Sequence, residues 1–289
     1  DTTLGPIIGV LFDGFAYGML LFLLSVGLSV TLGMMNFVNL AHCAFAMLGG
    51  YVTVTLVHRF GWPFLATLPA AFLAAAFVSI LLERTLYRKL YRASDLDQVL
   101  LTIGLAFMSI ATAAYIFGTI LQPAVTPTWL RGSVNYFGIN FGIYRLFLVA
   151  VGLAVTLILV LMLEFTRFGQ QVRAAVDNQR MARGLGINVD GTFAVAFALG
   201  SGLAGLGGAL AIEIVGLDPS FALIYLVYVL IVVSVGGLGS IWGSFVAAVL
   251  IGISDIAGKY YVPQVGAFLI YLVMIVLLMW RPQGLFGKR

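Results

Sequence analysis

The chain has 289 residues, of which 62% are apolar and only 9% charged, and it carries a formal net charge of +4. Soluble domains carry about 25% charged residues, so this composition, with a mean hydropathy of +1.11, excludes a water-soluble globular core and demands a bilayer. The basic residues are dispersed and form no stripe interleaved with aromatics, which excludes a nucleic-acid surface.

Apolar runs with few or no charges recur at about 6–30, 37–57, 63–82, 99–121, 146–163, 192–212, 222–235, 241–258 and 264–280. About 20 residues at roughly 1.5 Å per residue cross the hydrocarbon. The pattern therefore predicts an all-α polytopic transmembrane bundle of eight or nine spans, forming one domain over residues 1–289. The runs are continuous and lack the period-two alternation of barrel strands. The first run is too long for a signal-peptide core and lacks a small-residue cleavage pattern, so it is read as a retained helix.

Asn36, Asn39 and His42 follow at i, i+3 and i+6, beside Met34 and Met35, and are read as one side of a helix entrance. Two amides and a neutral imidazole can hydrogen-bond a solute on a pathway; equally, they can satisfy neighbouring carbonyls and fix helix contacts. The single Cys43 lies inside a span and is expected to be a packed free thiol. The segment 122–145, with Pro123, Pro127, Trp129, Asn135 and Tyr136, reads as an outer loop with an aromatic belt.

Lys and Arg concentrate in three places: Arg84, Arg88, Lys89 and Arg92; Arg167, Arg173, Arg180 and Arg183; and Arg281, Lys288 and Arg289. Only Arg59, Arg131, Arg145 and Lys259 lie elsewhere. Positive loops stay cytoplasmic, which predicts that the segment 164–191 and the C-terminus face the cytoplasm.

That segment is a polar island in an apolar chain. On a helix, Val172, Ala175, Val176, Gln179 and Ala182 make a small apolar stripe, and Arg173, Asp177 and Arg180 make a charged one in which Asp177 can pair with both arginines. Gly184 and Gly186 end the helix. A short amphipathic helix with a small-residue face suits a groove on another protein. As a helix lying on the bilayer, its alanines would bury too little apolar area for firm insertion.

Gly14 and Gly18, then Gly200, Ala204 and Gly208, then Gly239 and Gly243 repeat at spacing four, which lets helix backbones approach closely in lipid. The short run at 222–235 precedes Gly236-Gly237-Leu238-Gly239-Ser240, so it is a full span, a broken helix or a re-entrant segment. Non-helical backbone at membrane depth needs protein or water to satisfy it, which makes Gly237, Gly239 and Ser240 pathway candidates. Asp13, Glu213 and Asp255 sit near span ends and form no proton relay, the expected signature of a stand-alone secondary transporter or channel. Two histidines and one cysteine offer no usual zinc set, Gly258-Lys259 is followed by Tyr260 rather than Ser or Thr, and no nucleophile elbow occurs. No catalytic role, cofactor or metal is assigned.

Four stretches together resemble the branched-chain amino-acid ABC importer permeases of the LivH type. They are Asn36-Phe37-Val38-Asn39-Leu40-Ala41-His42 running to Met47-Leu48-Gly49-Gly50-Tyr51; Arg173-Ala174-Ala175-Val176-Asp177-Asn178 with Met181-Ala182 and Leu185-Gly186-Ile187-Asn188; Gly236 to Gly243; and Arg281-Pro282-Gln283-Gly284-Leu285-Phe286-Gly287. The resemblance spans the whole chain. It implies a membrane subunit that pairs with a homologous second permease, contacts two cytoplasmic ABC ATPase subunits and receives solute from a periplasmic binding protein, in the bacterial inner membrane. Hydrolysis of ATP would then lie in the partner subunits. It further implies an ATPase-coupling role for Arg173, Ala174, Ala175, Asp177, Asn178, Arg180, Met181, Ala182, Leu185 and Gly186. The implied cargo is a hydrophobic amino acid or similar small carboxylate, with urea, amides or aromatic acids carried by other relatives. Two departures from the family pattern stand out: Gln179 replaces the glycine of the general permease loop, and Cys43 follows His42 where glycine is expected.

Overall fold

A computed structural model describes residues 3–287. The polar ends Lys288 and Arg289 lie outside the described residues, as does the side chain of Met34. The helices are α1 (Leu4–Met34), α2 (His42–Phe60), α3 (Phe64–Leu82), α4 (Arg88–Leu90), α5 (Asp95–Phe117), α6 (Ile143–Phe165), α7 (Arg167–Asp177), α8 (Gln179–Gly184), α9 (Val189–Val215), α10 (Phe221–Gly236), α11 (Ile241–Tyr261) and α12 (Leu269–Trp280). Among the described residues seven helices are long and apolar enough to cross a membrane, and two shorter apolar ones lie at Phe221–Gly236 and Gly266–Trp280. The all-α polytopic bundle is thereby established, and the nine apolar runs are nine helices.

α1 and α9 form the centre, because their faces are small enough to admit other backbones. A Cβ at Gly200 would stand 2.8 Å from the Gly27 Cα, and one at Gly252 would stand 2.6 Å from the Gly18 amide. α9 therefore packs against α1, α2 and α3, while α11 packs along α1. The spacing-four glycines at 14/18 and 200/208 are helix crossings, whereas Gly239 lies in a turn and Gly243 abuts Gly236. In lipid, where apolar side chains gain little by association, such close packing is what holds helices together.

α3 continues through a π-helical turn, Glu83–Tyr87, into α4. Single π-turns are uncommon and carry an extra residue; here the turn brings Glu83 to full burial, where it accepts from Tyr91 Oη at 3.1 Å and pairs with Arg88 at 3.4 Å.

The aromatic loop holds structure that its composition did not announce. Strands β1 (Ser133–Tyr136) and β2 (Ile139–Gly142) form an antiparallel hairpin, with Phe137 and Gly138 both at positive φ in the two-residue turn. That is the geometry whose twist matches paired strands. Phe137-Gly138 between short alternating segments was the available signal.

Successive helices alternate in direction, so the bundle has two ends. One carries the C-terminus of α1, residues 83–95, α7, α8, the 236–241 turn and residues 281–287; the other carries 118–142, the α9–α10 loop and Lys259. Arg84, Arg88, Lys89, Arg92, Arg167, Arg173, Arg180, Arg183 and Arg281 all lie at the first, basic end. Arg59, Arg131, Arg145 and Lys259 lie at the opposite end.

Candidate functional site

The polar island is two helices rather than one. α7 starts at Thr166, whose hydroxyl accepts from the Gly169 amide, and it stops at Asn178, whose extended backbone breaks the chain direction. Asn178 then caps α8, its side chain accepting from the Met181 amide at 3.0 Å. The expectation of one continuous amphipathic helix is corrected by this cap. An Asn side chain competes for backbone donors better than it serves a helix interior.

The break also undoes the expected charged stripe. Asp177 makes no ion pair among the described residues, since Arg180 is now on a different helix. Arg173 instead donates to the Leu163 carbonyl at 2.9 Å, one of the last carbonyls of α6 that lack a helical partner. A cation is also the favoured charge at a helix C-terminus. The ion pair that does form is Arg183 with Asp190, at 2.7 Å, and this hydrogen bond and charge raise the Arg183 pKa above its usual value.

Of the expected small apolar stripe, Val176 and Gln179 are exposed, but the other three residues are not free for a partner. Ala175 and Ala182 are buried against Val189 and Phe193 of α9, with Met35 and Ile187 at the margin. Val172 is buried as well. Gly169 sits directly on the backbone of Leu163, so α7 folds tightly back on α6. What this arrangement exposes is the other side: Asp177, Asn178 and Arg180, with Met181 at 64% and Leu185 at 76% of full exposure. Ala174 is half-buried, and Gly186, at φ 88°, ends the segment. Large apolar side chains held outward beside an arginine make a compact knob; of the residues to which the family resemblance gives a coupling role, Met181 and Leu185 are on it, whereas Ala175 and Ala182 are buried beneath it.

Asn36, Asn39 and His42 do not share a helix face. Residues 36–41 are irregular, with Asn36 exposed at φ 50°, Asn39 fully buried, and His42 starting α2. Their orphan amides are taken up by side chains: Gln98 Oε1 accepts from the Val38 amide and Thr102 Oγ1 from the Leu40 amide, each at 3.1 Å. Gln98 also donates to the Leu90 carbonyl at 2.9 Å, and Tyr87 Oη to Asn39 Oδ1 at 3.3 Å. This strap of residues from the π-helical turn, α4 and α5 was missed in the sequence; Gln98 and Thr102 one turn apart on an apolar helix were its signal. His42 Nε2 lies 2.9 Å from the Leu24 carbonyl, with the ring buried. Cys43 is buried and free.

Gly237, Gly239 and Ser240 form the turn between α10 and α11 at the basic end, so the chain reverses there. Gly237 and Gly239 take positive φ, and Ser240 caps α11 by accepting from the Gly243 amide at 2.9 Å. Gly239 shares a cleft of about 200 Å³ with Arg173, Glu164 and Trp242, which joins the turn to α7. Residues 281–287 lie against the same turn, the Leu285 and Phe286 amides donating to the Val235 and Gly236 carbonyls. The 36–42 stretch thus lies at the same end of the bundle as the other three sequence motifs, while Met47–Tyr51 run on into α2.

The three carboxylates near the opposite end are each held locally: Asp13 by Arg145 at 3.6 Å, Asp255 by Lys259 at 3.0 Å, and Glu213 by the Thr126 hydroxyl at 2.6 Å. Between α5 and the α2/α3 pair lies an apolar cavity of about 390 Å³, to which Tyr51, Ser109 and Thr112 contribute hydroxyls.

Comparison with known proteins places these features in a family. The profile described as "Branched-chain amino acid transport system / permease component" matches residues 10–278. The chain is 29% identical to a protein of Methanocaldococcus jannaschii named probable branched-chain amino acid transport permease protein LivH, over 94% of this chain and 90% of that one. It is 24% identical to the LivH high-affinity branched-chain amino acid transport system permease protein of Escherichia coli K12, over 96% and 94%. It is also 25% identical to the LivM permease protein of the same strain, over 92% and 68%. No solved structure matches. With the match running from the first span to the last, this chain belongs to the branched-chain amino acid transport system permease family.

Proposed function

We propose that the chain is the transmembrane permease subunit of a binding-protein-dependent ABC importer, moving a branched-chain or other hydrophobic amino acid, or a similar small carboxylate, across the bacterial inner membrane. ATP hydrolysis in two separate cytoplasmic ABC subunits drives the movement, and a periplasmic binding protein delivers the solute. The nine described basic residues at one end against four at the other support placing α7, α8 and the C-terminus in the cytoplasm.

The observation that carries this reading is the α7–α8 segment in a chain of this family. The segment is fastened to α6 by Arg173 and to α9 by Ala175 and Ala182, and it leaves Met181 and Leu185 outward. A knob on a rigid mount can pass a displacement from a soluble partner to the central helix α9, because packed interiors transmit strain. Similarity to both LivH and LivM of one strain supports pairing with a homologous second permease. The apolar cavity beside α5 suits an aliphatic side chain, its few hydroxyls serving polar groups.

Co-purification of the tagged chain from its native membrane tests the proposal. Recovery of a second permease and two ATPase polypeptides, with hydrolysis stimulated by the loaded binding protein, is the expected result. A chain recovered alone and still carrying out uptake after ATP depletion, in step with an ion gradient, would replace the importer with a secondary transporter.

A further inference from the structure

A second feature of the basic end shares α8 with the exposed knob, through Gln179 and Arg183 rather than Met181 and Leu185, and is separate from the apolar cavity. Between α4, α8 and the start of α9 lies a cleft of about 700 Å³, within the roughly 300–1,000 Å³ typical of ligand sites. Four cations line it, Arg88, Lys89, Arg92 and Arg183, against a single carboxylate, Asp190. That carboxylate is consumed: Arg183 reaches both its oxygens, at 2.7 and 3.3 Å. Arg88 is shared with buried Glu83 at 3.4 Å. Lys89 and Arg92 form no ion pair among the described residues.

We propose that this cleft binds the phosphate of an anionic phospholipid headgroup. Cations crowded in a concave, partly apolar site repel one another, and a phosphate relieves that repulsion while accepting the planar fork of Arg92 and the point charge of Lys89. Tyr91, Phe193 and Met35 supply apolar wall. The headgroup source is favoured over free phosphate by position. Leu96 and Leu100 on α5, which starts three residues beyond Arg92, are 66% and 59% exposed, as is Leu81 of α3 to 49%. These exposed leucines flank the 88–92 segment along the chain and offer apolar surface for acyl chains, and basic pockets between helices at a membrane surface are the known setting for acidic headgroups. The proposal needs only that this end of the bundle meets a leaflet; it stands whatever drives transport.

Native mass spectrometry of the full chain, released from mixed micelles containing equal phosphatidylglycerol and phosphatidylcholine, tests it. Wild type should retain phosphatidylglycerol at least five-fold over phosphatidylcholine, and Lys89→Gln/Arg92→Gln should abolish that preference. Arg59→Gln/Arg131→Gln, at the opposite end, should leave it intact. Lys89 and Arg92 are exposed, so the double variant should fold, and an unchanged gel-filtration profile will show it. Equal retention of both lipids by wild type, or an undiminished preference in the double variant, overturns the proposal. Loss of the adduct on adding millimolar inorganic phosphate, with no preference among lipids, would assign the cleft to a soluble phosphate and overturn the lipid source.

Discussion

The amide of Leu285 donates to the carbonyl of Val235 across 2.8 Å, so the closing residues of the chain cap the helix that ends at Gly236. The helix's last carbonyls have no partner of their own, and the tail supplies one after α11 and α12 have intervened. The capped turn in turn donates from Gly239 to the Ser29 carbonyl of α1 at 3.2 Å. Residues 285–286 and the turn they cap thereby tie α10 to the central helix α1.

Gly284 makes this return with φ 86°, and a Cβ there would stand 2.7 Å from the Gly237 Cα. Gly284→Val combines a left-handed backbone with backbone overlap, a change of about 1–3 kcal/mol in a packed site. Differential scanning fluorimetry in detergent should show a lowered melting temperature; an unchanged one would mean that the cap contributes nothing to the bundle.

The knob and its mount should separate experimentally. Leu185→Asp alters a side chain that is already in water, so it should leave the melting temperature within about a degree, in keeping with the usual ±0.5 kcal/mol of surface changes. Recovery of ATPase subunits should nevertheless fall about ten-fold, equivalent to about 1.4 kcal/mol. Ala175→Glu puts a carboxylate against Phe193 and Val189 and should destabilise the chain itself. If Leu185→Asp copurifies its partners as wild type does, the exposed knob is not the coupling surface.

Gln98 ties the irregular segment to two neighbouring elements at once. Gln98→Leu leaves the part-buried Val38 amide without its partner, at a cost of about 1 kcal/mol, the low end of the range for a lost buried bond. The segment should loosen before the bundle does, so in detergent-solubilised protein a cysteine introduced at Val38 should label with a water-soluble maleimide several-fold faster in the Gln98→Leu background. Equal labelling rates would show that the strap is held by Thr102 and Tyr87 alone.

His42→Ala removes a buried bond to the Leu24 carbonyl, a loss of roughly 1–3 kcal/mol. The outcome expected from its burial is lower thermal stability with an unaltered KM for uptake in proteoliposomes. A changed KM at unchanged stability would put the imidazole on the solute path.

Composition and run length alone determined the membrane class, the helical architecture and the approximate spans, because a bilayer permits few solutions and imposes a minimum apolar length. The small-residue repeats also announced that helix backbones approach closely at 14/18 and 200/208, since close approach in lipid depends on side-chain size more than on detailed fit, but which helices meet there was not in the repeats. What the sequence left open were the choices made by partners distant along the chain. Whether Ala175 or Leu185 faces out depended on Asn178 breaking one helix into two and on α9 arriving to cover the alanines. Whether Asn36, Asn39 and His42 shared a face depended on Gln98 and Thr102, more than fifty residues away, satisfying amides that would otherwise have joined a helix. The basic cleft likewise draws its cations from two segments distant in sequence, 88–92 and α8, that only folding brings together. Local periodicity sees the bilayer and the neighbouring turn of helix; the pairing of orphan backbone groups and the covering of one face by another are settled only by tertiary contacts.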